Sequence, residues 1–281
     1  MWFMPAWKGG LLPAGCQSAD ALSSYSRVFN SIEGNTTFYG LPAPVKVTSW
    51  QAQVAPDFRF AFKVPKFISH AQDPLAALHK SSRELNAFIS SCAQTLGLLM
   101  LQLPASFGPD RLQDLDELLA HLADLADVPL AVEVRHPAFF DKGRAESALL
   151  RMLADRTCDR VIFDSRGLFA DPSLAADVTE AQGKKPRLPV HPIATGNNPV
   201  LRFIGHSDWV QNERYLAQWR QKLAQWTQAG KTCWVFFHTA SNNDAPAFAR
   251  WACEQLGIGL LNEEPATDAG PAGDLFSDLQ L

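Results

Sequence analysis

The sequence predicts a single α/β domain over residues 1–262, folded as a (β/α)8 barrel of the TIM type. Three observations predict it. Short apolar runs ending near residues 7, 35, 65, 104, 135, 166, 206 and 239 read as eight strands. Each interval between them holds one helical pattern. A polar or charged residue closes nearly every strand, at the end where a barrel builds its site. A doubly wound sheet would also alternate strands and helices, but it rarely carries such a polar ring.

The first strand is Met1–Trp7, punctuated by Gly9-Gly10. Asp20–Phe29 has helical spacing, and Val28–Asn35 turns strand-like before the polar loop Glu33–Tyr39. Pro42–Val54 fits a helix. In Phe58–Pro65, alternation sets Phe60, Phe62 and Val64 on one face and Arg59, Ala61 and Lys63 on the other. Leu75–Leu96 is a long amphipathic helix. Leu98–Pro104 is apolar except for Gln102, as suits a parallel strand covered on both sides. Pro109 fits the first turn of the helix Asp110–Ala126, whose Leu112, Leu115, Leu118, Leu119, Leu122 and Leu125 keep helical spacing.

The fifth strand begins at Ala131 and stops at Pro137, which has no N–H to give to a ladder. Val132 and Val134 share one of its faces, Glu133 and Arg135 the other. A carboxylate and a guanidinium are not buried unpaired, so that face is a packed polar centre or the floor of a site. Helix Gly143–Arg156 follows, then strand Arg160–Arg166, with Ile162, Asp164 and Arg166 opposite Val161 and Phe163. Residues 167–199 are irregular: a short helix at Ser173–Gln182, then a proline-rich excursion of the kind that covers functional sites or is disordered. Strand Val200–His206 (Arg202, Ile204 and His206 on one face), helix Gln211–Gln228, strand Thr232–Thr239 (Trp234, Phe236 and His238 on one face) and helix Pro246–Leu256 complete the pattern. The acidic stretch 263–281 is expected to be a mobile tail.

The composition narrows the class. Of 281 residues, 47% are apolar, enough for a substantial core, and the net charge of −4 excludes a strongly basic nucleic-acid coat. Five cysteines without a Cys-x-x-Cys pair argue against a disulfide framework and for a reducing cytoplasm. No charged and apolar leader precedes the first strand, so no secretory signal is expected. No apolar run approaches the ~20 residues of a membrane helix.

Five stretches resemble the YecE-like family, a bacterial family of unknown function: Ile32-Glu33-Gly34-Asn35-Thr36-Thr37-Phe38-Tyr39, Phe62-Lys63-Val64-Pro65, Leu101-Gln102-Leu103-Pro104-Ala105-Ser106-Phe107, Glu133-Val134-Arg135-His136-Pro137 and Arg202-Phe203-Ile204-Gly205. The resemblance spans about residues 1–262 and implies a barrel distantly like the endonuclease IV and sugar isomerase type. It implies no reaction. Two rims depart from the pattern: Phe3-Met4-Pro5-Ala6-Trp7 replaces a Gly-Thr-Ser-Gly-Trp-like strand, and Phe237-His238-Thr239 replaces a Phe-Asn-Asn-like run.

If the polar parity of every strand faces the barrel centre, the inward set is Glu33, Asn35, Lys63, Gln102, Glu133, Arg135, Asp164, Arg166, Arg202, His206 and His238, with His70 and His136 just beyond strand ends. One reading is a structural ion network that plugs the barrel. The other is a pocket for a small anionic ligand such as a phosphate ester or sugar acid, because four cations on four strands exceed what one pairing needs. Arg is suited to two-point capture of carboxylate or phosphate. Glu33 or Glu133 would then be a general base and Lys63 an acid or electrostatic stabiliser in a hydrolysis or isomerisation. Asn35, Gln102, Arg135, His136, Asp164, Arg166, Arg202, His206 and His238 would bind the ligand.

No metal is expected: His-x-His and His-Glu-x-x-His spacings are missing, and the neighbouring Arg and Lys repel a divalent ion. No cofactor is expected either. The alternative function is a non-catalytic, nucleic-acid-associated module, using Lys184-Lys185-Pro186-Arg187 for phosphates and Trp7, Trp209 and Tyr39 for stacking. The basic run also reads as a plain solvated loop. Gly273-Asp274-Leu275-Phe276 reads as a docking peptide or as disorder.

Overall fold

A computed structural model describes residues 2–261. Its strands are β1 Ser31–Gly34, β2 Arg59–Lys63, β3 Leu96–Gln102, β4 Leu130–Glu133, β5 Asp159–Asp164, β6 Val200–Ile204 and β7 Trp234–His238. Its helices are α1 Ala21–Ser26, α2 Thr36–Tyr39, α3 Pro44–Gln51, α4 Lys66–Ser69, α5 Pro74–Cys92, α6 Leu112–Leu125, α7 Arg144–Asp155, α8 Arg166–Ala170, α9 Ala176–Lys184, α10 Glu213–Gln228 and α11 Ala245–Leu256. The strands pair in chain order, every neighbour parallel, into a nearly closed barrel wrapped by helices.

Among the described residues seven strands form, where the sequence suggested eight. The missing one is Met1–Trp7. Pro5 cannot donate to a ladder, and Pro5–Trp7 instead closes a 3-10 turn with Trp7 N–H donating to the Met4 carbonyl at 3.0 Å. The Trp7 ring is buried, and its Nε1 donates to the carbonyl of Asn242 at 3.0 Å. β1 and β7 are consequently the two edges of the sheet. The 167–199 stretch carries two helices, α8 and α9, and then runs without regular structure from Lys185 to β6. The expected tail at 263–281 lies outside the described residues.

Strand parity divides the core. Ala61, Leu98, Met100, Ala131, Val161, Val200, Trp234 and Phe236 fill the lumen. The opposite faces pack on the helices. Ile32, Phe60, Phe62, Leu99, Leu101 and Val132 meet α5, α6 and α7, whereas Ile162, Leu201 and Phe203 meet α10 and α11. The lumen is filled by pairing large with small: Gly97 lies against Trp234, and a Cβ there would fall 2.6 Å from the indole. Local signals set the helix ends. Asp73 Oδ1 accepts from Ala76 N–H at 2.9 Å ahead of Pro74 at the start of α5. Gly257 closes α11 at φ +70, a conformation favourable to glycine.

Candidate functional site

Two residues beyond the lumen layer, each strand lifts one side chain into the barrel mouth. Ala61 leads to Lys63, Met100 to Gln102, Ala131 to Glu133, Val161 to Phe163, Val200 to Arg202 and Phe236 to His238, while β1 contributes Glu33. Arg202 is the hub. Its Nε and Nη2 donate to Glu33 Oε2 and Oε1 at 2.6 and 2.9 Å, and its Nη1 donates to Glu133 Oε2 at 2.6 Å. Its guanidinium also sits 5.3 Å from the centre of the Phe163 ring. Lys63 Nζ donates to Glu33 Oε1 at 2.9 Å and to Gln102 Oε1 at 3.1 Å. Arg135, just past β4, donates Nε and Nη2 to Glu133 Oε1 at 2.8 and 2.6 Å. His238 Nε2 lies 3.5 Å from Glu33 Oε2.

The electrostatics follow from this packing. Burial alone would raise the Glu33 carboxyl, but Arg202, Lys63 and His238 hold it well below the usual range. Glu133 is held down to about 2 by Arg202, Arg135 and Lys63, again against burial. Both are therefore firmly ionised and fully engaged as acceptors. Burial lowers Lys63, and Arg202 adds repulsion, while the two glutamates oppose both. His238 is lowered by burial, with Arg202 and Lys185 acting in the same sense against Glu33, which favours the neutral ring.

Lys185, which the sequence offers only within the basic run 184–187 for nucleic-acid phosphates, joins the barrel mouth. It stands directly after α9, half-buried, and leans toward the mouth: burial, Arg202 and Lys63 lower it, while Glu33 and Glu133 raise it. Among the described residues it makes no ion pair within 4.0 Å. Three cations, Lys63, Arg135 and Arg202, thus pair with two carboxylates, and Lys185 acts on the same cluster at longer range. The only signal for Lys185 in the sequence was its basic run, in which Lys184 pairs with Glu180 and Arg187 lies over Phe169. Phe163 was likewise missed.

Several expected positions fall elsewhere. Asp164 and Arg166 do not face the mouth. Asp164 is buried on the helix side, where its Oδ2 accepts from Arg166 Nη2 at 2.8 Å and from Trp219 Nε1 of α10 at 2.7 Å. Arg166 stacks over Tyr215 and bonds Gln218. His206 lies beyond the end of β6. Its Nδ1 accepts from Asp208 N–H at 2.9 Å and its own N–H donates to Asn212, so it holds a turn. His136 similarly caps a turn, accepting from Ala138 N–H at 3.2 Å. Asn35 precedes α2 at the β1 edge. His70 pairs with Ser69 and packs edge-on to Phe38, whose ring also faces Lys63. Burial, Lys66 and Arg135 lower the His70 imidazole. Of the expected stacking aromatics, Trp7 is buried and Trp209 packs on Phe248 and Trp251; Tyr39 is 82% exposed. Among the described residues no three His, Cys, Asp or Glu side chains gather as a metal site, and no helix is long and apolar enough to cross a membrane.

A family model described as "Protein of unknown function DUF72" matches residues 1–269. The chain belongs to the DUF72 family. Among DUF72 relatives, it is 43% identical over 239 residues to "UPF0759 protein YecE" of Escherichia coli (strain K12), covering 84% of this chain and 85% of that one. The protein of the same description from Escherichia coli O157:H7 is 42% identical over equal coverage. Two solved DUF72 structures share the fold at 22% identity. That from Thermotoga maritima MSB8 superposes with a TM-score of 0.65 over 92% of this chain and 96% of its own. That from Enterococcus faecalis V583 gives 0.65 over 85% and 94%.

Proposed function

We propose that the barrel mouth binds a small anionic ligand, of the phosphate ester or sugar acid type, through Lys63, Arg135, Lys185 and Arg202. The observation that carries this reading is that, among the described residues, three cations pair with two carboxylates at the mouth while a fourth, Lys185, feels the same cluster without an ion pair of its own. A structural plug would balance its charges, because an uncompensated buried charge is costly. Among the described residues the surplus here is positive, and Arg135 and Lys185 remain partly open to solvent.

Glu33 and Glu133 serve this reading as the frame that aims the cations. A carboxyl held down to about 2 is a weak base at neutral pH. A hydrolysis or isomerisation at this mouth would therefore move its proton through His238, whose ring burial keeps neutral and able to accept, or through Lys63, whose affinity burial lowers toward the neutral range. The five free cysteines support a reducing compartment, the cytoplasm.

The test is calorimetric titration of the protein with inorganic phosphate at low salt. Saturable binding is expected, weakened about tenfold by Arg135→Ala, the worth of one charge-assisted hydrogen bond at ~1.5 kcal/mol. Absence of binding by phosphate, sulfate and simple carboxylates would overturn the reading.

A further inference from the structure

The edges β1 and β7 face one another across an unzipped seam: among the described residues, β1 pairs only with β2 and β7 only with β6. Along this seam lies a cavity of about 240 Å3. α11 and the segment that follows it roof the cavity, with Leu261 N–H bonded to the Val28 carbonyl at 3.3 Å. Glu33 and His238 form its wall toward the cation cluster.

Its lining is mixed. Asn35, Tyr25 and Asn242 offer polar groups, while Ile32, Phe237 and Pro246 offer apolar surface. Neither Lys nor Arg lines it among the described residues. The two strand edges also present backbone N–H and C=O groups that no neighbouring strand among the described residues takes up. Such a wall satisfies a group bearing both donors and acceptors around an apolar face. An anionic group would find no Lys or Arg counter-ion there among the described residues, and would face the Glu33 carboxylate. Small-molecule pockets run roughly 300–1,000 Å3, so a cavity of this size suits one ring rather than a long chain.

We infer that the seam is a subsite for an uncharged, hydroxyl-bearing ring, and that the ligand of the barrel mouth is a sugar carrying an anionic group. This rests on the anion reading above. The ring lies between the edges of β1 and β7. The anion reaches past Glu33 toward Lys63, whose Nζ is 2.9 Å from the Glu33 carboxylate.

The experiment compares three probes by calorimetry: inorganic phosphate, a hexose 6-phosphate and hexyl phosphate. The hexose phosphate is expected to bind at least tenfold tighter than either of the others. Ala249→Leu places a larger side chain in the seam on a helix that tolerates it. It is expected to remove that preference and leave inorganic phosphate binding unchanged, which also reports that the variant is folded. Ala245→Leu, lining the same cavity, serves if the first variant fails to fold. Equal binding of all three probes, or a preference that survives both substitutions, overturns the seam subsite and leaves the anion site standing. No binding by any probe overturns both.

Discussion

Arg202 and Glu33, 169 residues apart in the chain, meet in a two-point pair at 2.6 and 2.9 Å inside the barrel mouth. The planar guanidinium presents a fixed fork that matches both carboxylate oxygens. Its remaining nitrogen reaches Glu133 at 2.6 Å, so one side chain from β6 ties β1 to β4 across the barrel.

Removing that tie leaves two buried carboxylates short of a partner. Arg202→Met is expected to cost roughly 3–5 kcal/mol of stability, a drop in Tm on the order of 10 °C for a chain of this size. Arg202→Lys should recover only part of it, because an ammonium cannot make the fork. Thermal and urea unfolding of the two variants check this. Equal stability of wild type and Arg202→Met would show that the cluster contributes nothing to the fold.

Acid should loosen the cluster from the glutamate side. Glu133 is lowered from 4.5 to about 2 on folding, so the unfolded chain takes up the proton first. The associated stability is fully present above about 4.5 and is lost as pH falls toward about 2. Glu33, lowered in the same direction, adds to the loss. Tm measured between pH 7 and pH 2 should fall steeply in wild type and less steeply in Glu133→Gln, which starts lower.

Asp164→Asn separates fold from binding. The carboxylate holds Arg166 and Trp219 on the helix side of β5. Losing a charged acceptor is expected to cost about 2 kcal/mol and to leave anion affinity unchanged. A variant of normal stability that no longer binds phosphate would place Asp164 at the mouth after all.

Lys185→Ala should show the opposite pattern. Lys185 sits among like charges without an ion pair among the described residues. Its removal is expected to change stability by less than ~0.5 kcal/mol while weakening phosphate binding about tenfold. Paired melting curves and titrations decide it.

The sequence by itself determined the alternation of strands and helices. It also determined which mouth residues share a face on six strands: Glu33, Lys63, Gln102, Glu133, Arg202 and His238 all follow from a period of two. Only the tertiary structure decided β5, the amino-terminal segment and Lys185. A parallel strand is covered on both sides, so a charged residue within it does not announce which side it faces. Trp219, 55 residues further along, supplies the partner that turns Asp164 outward and leaves Phe163 in the ring. Met1–Trp7 looks like a strand by its apolar run, but Pro5 withholds a donor and Trp7 finds its partner at Asn242. Lys185 reads as loop charge until the chain after α9 brings it within electrostatic reach of Arg202 and Lys63. For Asp164, Trp7 and Lys185 the deciding neighbours lie far along the chain, and local spacing carries no record of them; Pro5 was the one local sign.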